Sequence, residues 1–77
     1  MRIKTICSNC IAVTSTDKNY LFSYNLLVAV YNYTTGVLNV CDHHYSQTTT
    51  RHFNKWKSEY KICSNEVKVT RSEIESI

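Results

Sequence analysis

Apolar and polar positions alternate in short runs at the start of the chain. Ile3 and Ile6 punctuate "RIKTIC" (2–7), and Ile11 and Val13 punctuate "IAVTST" (11–16). Short β-branched runs bounded by turn formers mark strands. A first strand is therefore expected at 2–7, a turn at "SNC" (8–10) and a return strand at 11–16, with "DKN" (17–19) as the next turn. The most apolar stretch, "YLFSYNLLVAVYNY" (20–33), is rich in aromatic and β-branched side chains, which favours strand over helix. It is long for one strand, and Asn25 is the expected place of a bulge or break. "NYTTG" (32–36) closes a hairpin loop on Gly36, the only glycine and the residue freest to take positive φ. "VLNVC" (37–41) is the partner strand.

The period then changes. In "DHHYSQTTTRHFNKWKSEYK" Ser46 is a good N-cap, and Thr48 and Thr49 can satisfy free backbone donors of a first turn. Phe53, Trp56 and Tyr60 recur at three and four residues, which is one face of a helix. The spacing predicts an amphipathic helix over about 46–60. "EVKVT" (66–70) alternates as a last strand, and "RSEIESI" (71–77) holds a short helical turn capped by Ser72, with Glu73 and Glu75 early in it. The order β-β-β-β-β-α-β gives an α+β fold. A small antiparallel β-sheet of about four to six short strands carries one helix on a face, all within a single domain spanning 1–77.

Composition narrows the functional classes. With 77 residues, 43% hydrophobic and 19% charged, the chain is too apolar to be disordered and too short for a second domain. A net charge of +3 is only mildly basic. No apolar run is long enough to span a bilayer. "MRIKTICSNC" lacks the apolar core and cleavage pattern of a signal peptide, so an intracellular location is expected.

"LFSYNLLVAVY" (21–31) followed by "YSQTTTRHFNKW" (45–56) resembles a family of small uncharacterised phage and prophage proteins. Its pattern runs S-Y-x-T-x-V-A, a short hairpin, then Y-S-x-T-T-x-x-H-x-x-x-W. Ser23, Tyr24, Val28 and Ala29 match the first half; Tyr45, Ser46, Thr48, Thr49, His52 and Trp56 match the second. Leu26 stands where the pattern has threonine, so no hydroxyl is offered there. The resemblance covers about half the chain, residues 20–56. It implies a viral origin and the host cytoplasm as the place of action, and it brings no activity.

Several residue sets carry candidate chemistry. Ser46, Thr48, Thr49 and His52 at a helix start can hold an anion; the plainer reading is that Ser46 caps, Thr49 bonds the backbone, and His52 and Trp56 pack at i, i+4 against the sheet. Cys7 and Cys10 form a C-x-x-C. With Cys41, His43 or His44, and Cys63 they offer zinc-ligand types at irregular spacing, with no second C-x-x-C. The plainer reading is a set of reduced thiols, and a thioredoxin-like pair lacks its βαβ context. Cys41, Asp42, His43, His44 and His52 include the types of a Cys-His nucleophile pair. There is no glycine-rich phosphate loop, however, and Asp17 and Asp42 are the only aspartates. No enzyme activity and no cofactor are expected.

Binding is the stronger expectation. Arg51, Lys55, Lys57 and Lys61 line the helix and its exit, while Tyr20, Phe22, Tyr24, Tyr31 and Tyr33 lie on strands. Strand alternation puts some of Tyr20, Phe22 and Tyr24 on one face, so an exposed aromatic patch is expected. The favoured surface is this patch with the basic helix: Tyr20, Phe22, Tyr24, Arg51, His52, Lys55 and Lys57. The first reading is a phage accessory protein that binds and modulates a host protein, such as a polymerase, a nuclease or a defence complex. Alternatives are a nucleic-acid-binding module on the same residues and a small zinc protein on the cysteines. Free strand edges also make a homodimer an option.

Overall fold

The computed structural model describes residues 2–42, 47–63 and 65–76. Strands β1 (Arg2–Cys7), β2 (Cys10–Thr14), β3 (Lys18–Ser23), β4 (Leu26–Asn32) and β5 (Leu38–Cys41) precede helix α1 (Gln47–Tyr60). Strand β6 (Glu66–Val69) and helix α2 (Arg71–Glu75) follow. The strands form one six-stranded sheet in the order β1-β2-β3-β4-β5-β6. The expected α+β class, with a main helix on one face, is what the chain adopts.

Three details of the strands differ from the sequence reading. Lys18 and Asn19 belong to β3, and the turn falls earlier, where the Ser15 N–H donates to the Lys18 carbonyl at 2.8 Å. The long apolar stretch is a hairpin: Tyr24 and Asn25 both take positive φ, 51° and 65°, as a tight turn between twisted strands requires. The sheet is antiparallel except at β5–β6, which is parallel. α1 carries the chain from the end of β5 back to the start of β6, so the two strands run the same way.

α1 covers one face of the sheet. Cross-strand register places Ala12, Leu21, Ala29 and Val40 in one row beneath it. Small side chains there let the helix sit close, while Leu21, Leu38, Trp56 and Ile62 fill the space. A bulge adds Val28 between the Leu21–Ala29 and Phe22–Leu27 pairs, and Val28 is buried in the same cluster. With no glycine nearby, α1 ends on Lys61 at φ 55°. The Ile62 N–H donates to the Lys57 carbonyl and the Lys61 N–H to the Ser58 carbonyl, and Ile62 is buried. That is a Schellman ending built on lysine.

The opposite face receives only α2 among the described helices. Thr70, not Ser72, caps it: its hydroxyl accepts from the Glu73 N–H, and the Glu73 carboxylate accepts from the Thr70 N–H. Glu73 sits at the position a capping box needs, three residues after Thr70 and only one after Ser72. Ile74 is the anchor of α2, buried with Val30 and Cys41.

Candidate functional site

The strongest polar constellation lies between β3 and α1. Asn19, Ser23, Thr49 and His52 are all buried, and each comes from one of those two elements. The Ser23 hydroxyl and His52 Nδ1 share a hydrogen bond at 2.7 Å, with Thr49 Oγ1 3.4 Å from the same hydroxyl. The Tyr24 ring tilts against the His52 ring with centroids 5.6 Å apart. One turn along α1 the buried Trp56 indole N–H donates to Asn19 Oδ1 at 3.0 Å, and Asn19 Nδ2 donates to the Tyr33 hydroxyl at 3.0 Å. Thr49, His52 and Trp56 stand at i, i+3 and i+7, one stripe of the helix. Buried polar groups hold only when paired, and these pairs stitch α1 to β3 in one register.

A serine beside a histidine invites a catalytic reading. Ser23 is 2% exposed and His52 6%, so the pair is buried between β3 and α1. A cleft lies elsewhere. It has a volume of about 490 Å³ and opens between α1, the end of β5 and β6, beside Asp42, Thr49, Thr50, Phe53, Glu66 and Lys68. Neither Ser23 nor His52 lines it.

The favoured binding residues divide between two sides. Tyr20 and Phe22 alternate onto the sheet face away from α1, where Tyr20 packs near Val30 and Ile74. Arg51 and Lys55 are exposed on α1, on the other side of the sheet. Lys57 is engaged: its ammonium lies 3.4 Å from Glu66 and 5.0 Å from the Phe53 ring centre. His52 faces the sheet. Tyr24, in the β3–β4 turn, is 49% exposed and joins the α1 side through His52. The expected single surface is thus two surfaces, because a strand's alternation sends Tyr20 and Phe22 away from the helix.

The cysteines do not converge. Cys7 and Cys10 face each other across the β1–β2 hairpin. Cys41 is buried in the cluster beneath α2, and Cys63 is exposed beyond α1. Burial pushes the Cys10 thiol up to about 12, helped by its hydrogen bond with Cys7. Among the described residues no three His, Cys, Asp or Glu side chains gather as a metal site. His43, His44, Tyr45 and Ser46 lie outside the described residues, and the expected N-cap with them.

Comparison with known proteins gives one finding. A family model matches residues 2–76, nearly the whole chain. The chain belongs to DUF8033, a family of unknown function. No curated protein and no solved structure matches it. In this DUF8033 chain the matched span takes in the six strands and two helices of the described residues.

The sequence reading missed Asn19 and the pairing of Ser23 with His52. Asn19 looked like a turn residue. A signal existed in Trp56, since a buried indole N–H calls for an acceptor.

Proposed function

We propose that this chain is a small phage-encoded accessory protein that acts by binding, and that its target is a host protein. The observation that carries the reading is the sheet face away from α1. Ile3, Ile11, Val13, Tyr20 and Phe22 share that face by register. Ile3 is 70% exposed, and Ile11, Val13 and Phe22 are half-buried. α2 packs over β4 and β5 with Tyr20 at its margin, and leaves the part of the strip on β1 and β2 without a described helix packed on it. A contiguous apolar strip rimmed by polar groups suits a protein surface better than a phosphate backbone. The phage and host parts of the proposal rest on the resemblance of the Ser23–Ala29 and Tyr45–Trp56 stretches.

The test is a tagged pull-down from host lysate, with and without nuclease, repeated with Ile3→Glu and Phe22→Ser. The reading expects a protein partner that survives nuclease and is lost with either variant while circular dichroism stays native. A partner retained by both variants would sink it.

A second reading is favoured by Tyr24. A tyrosine held at φ 51° with half its surface in solvent is strained and open at once. It lies on the α1 side with Arg51 and Lys55, where a stacked base and its phosphates fit. Nucleic-acid binding predicts a partner list that collapses with nuclease. It also predicts affinity that falls steeply with salt and on Arg51→Ala or Lys55→Ala.

A further inference from the structure

The sheet has two free edges, β1 and β6, and they differ in charge pattern. β1 carries Arg2 and Lys4 on one face with no acid in the strand. Antiparallel pairing of β1 with its own copy brings cation toward cation, a common defence of exposed edges. β6 reads Glu66-Val67-Lys68-Val69, and its first three residues are exposed. α2 turns back over β4 and β5 and leaves the outer edge of β6 without a hydrogen-bonded neighbour strand among the described residues.

The backbone fixes which groups that edge offers. The Asp42 N–H donates to the Val69 carbonyl at 2.8 Å, so Val69 directs its peptide groups toward β5. Strand alternation makes Val67 do the same, and Glu66 and Lys68 direct theirs outward. A two-fold antiparallel pairing must therefore use Glu66 and Lys68 as its hydrogen-bonded residues. Centring it on Glu66 sets carboxylate against carboxylate. Centring it on Lys68 sets ammonium against ammonium. Centring it on Val67 sets Glu66 against Lys68 of the second copy at both ends, and Val67 meets its equivalent in the close, non-hydrogen-bonded position. Val67 is 46% exposed in the single chain, an apolar side chain that this contact would cover.

We infer that β6 is a self-recognition edge: two copies join β6 to β6 in the register centred on Val67, making one continuous sheet. Glu66 and Lys68 of each copy exchange backbone hydrogen bonds and charge with Lys68 and Glu66 of the other. Within one copy Glu66 has Lys57 3.4 Å from Oε2 and Lys68 3.9 Å from Oε1, so it keeps Lys57 while Oε1 exchanges one Lys68 for the other. Both α1 helices then stand on the same side, and the apolar strips of the two copies share the other. The inference stands apart from the proposed host target, since it concerns the chain alone.

The test is sedimentation of the pure protein over a wide concentration range at low salt. The expected result is a reversible dimer of the 9.0 kDa chain that weakens as salt rises. Lys68→Glu and Glu66→Lys should each weaken self-association by about tenfold or more. Mixing those two variants should restore pairing, because the first then carries an acid at both positions and the second a lysine at both. Amide exchange gives a readout without any substitution: the Glu66 and Lys68 amides should gain protection with concentration while the Val67 amide changes little. A chain that stays monomeric overturns the inference. So does a dimer that ignores both charge reversals and leaves the Glu66 and Lys68 amides unprotected.

Discussion

The two faces of this sheet are built from the same strands but held in different ways. Where α1 crosses β3 the packing is closed. Trp56, Leu21 and Leu38 are fully buried, and among the described residues every buried side-chain polar atom has a partner. On the other face a five-residue helix is anchored by Ile74 over β4 and β5, and the rest stays half open. The difference teaches which face carries the stability and which keeps apolar surface uncovered. The α1 face is pinned over β3 by Ser23–His52 and Asn19–Trp56, and its cleft of about 490 Å³ lies toward β6 instead. The open face keeps apolar surface in reserve.

Substitutions can break or sharpen that contrast. Trp56→Ala should be the most damaging, costing about 3–5 kcal/mol, because it empties the largest buried volume and strands the Asn19 carbonyl. Chemical denaturation reads it directly. If the variant stays folded and only binding is lost, α1's inner face is a site and the packing account fails. Ile74→Ala on the open face should cost about 2 kcal/mol, the low end for such truncations, because α2 is short and partly exposed. Amide exchange should show α2 frayed and α1 intact. Ser23→Ala should cost roughly 1–3 kcal/mol, since it leaves His52 Nδ1 and Thr49 without the hydroxyl between them.

Thiol chemistry offers a subtler contrast. Cys63 is exposed and should alkylate readily at neutral pH, while Cys10 and Cys41 should react only on unfolding. The Cys10 thiol keeps its proton to about 12 in the folded chain, against an ordinary value of 9.0. The folded state therefore binds more protons between those values. Its contribution is complete below 9.0 and falls as pH rises toward 12. A melting series from about pH 8 upward should show stability declining through that window, and Cys10→Ala should remove the part due to this thiol. The smallest effect belongs to Glu59→Gln. Its ion pair with Lys4 raises the lysine and lowers the carboxylate, but both groups are solvent-exposed. Salt-screened melting temperatures should not move beyond error.

Much of the fold was legible because local pattern and tertiary structure agree. The Phe53–Trp56–Tyr60 spacing predicted α1, and its bounds of Gln47–Tyr60 fall within a residue of expectation. The face was rotated, however. Thr49, His52 and Trp56 are the buried residues, with Phe53 and Tyr60 at the margin. His52 packs with Trp56 against the sheet, as the plainer reading of the helix start has it, but periodicity cannot see Thr49 entering the core beside a hydroxyl from β3. The Tyr24–Asn25 turn was read only as a break, since Tyr-Asn lacks the glycine that usually announces such a hairpin. The parallel β5–β6 pair was hidden too, because direction depends on where α1 delivers the chain. The site was least legible. Residue type placed Tyr20 and Phe22 with Arg51 and Lys55, and strand parity set them on opposite sides.

The strand order carries a kinetic consequence. β1 to β5 lie in the sheet as they lie in the chain, each joined to its neighbour by a short turn. Such a meander can grow hairpin by hairpin, and each step closes only a small loop. β6 is different: it finds its place only after α1 has crossed the sheet. The meander should therefore form before β6 docks, and the rate of folding should respond to the β3–β4 turn far more than to changes in β6. Folding kinetics of turn variants at Asn25 set beside variants of Val67 would separate those two stages.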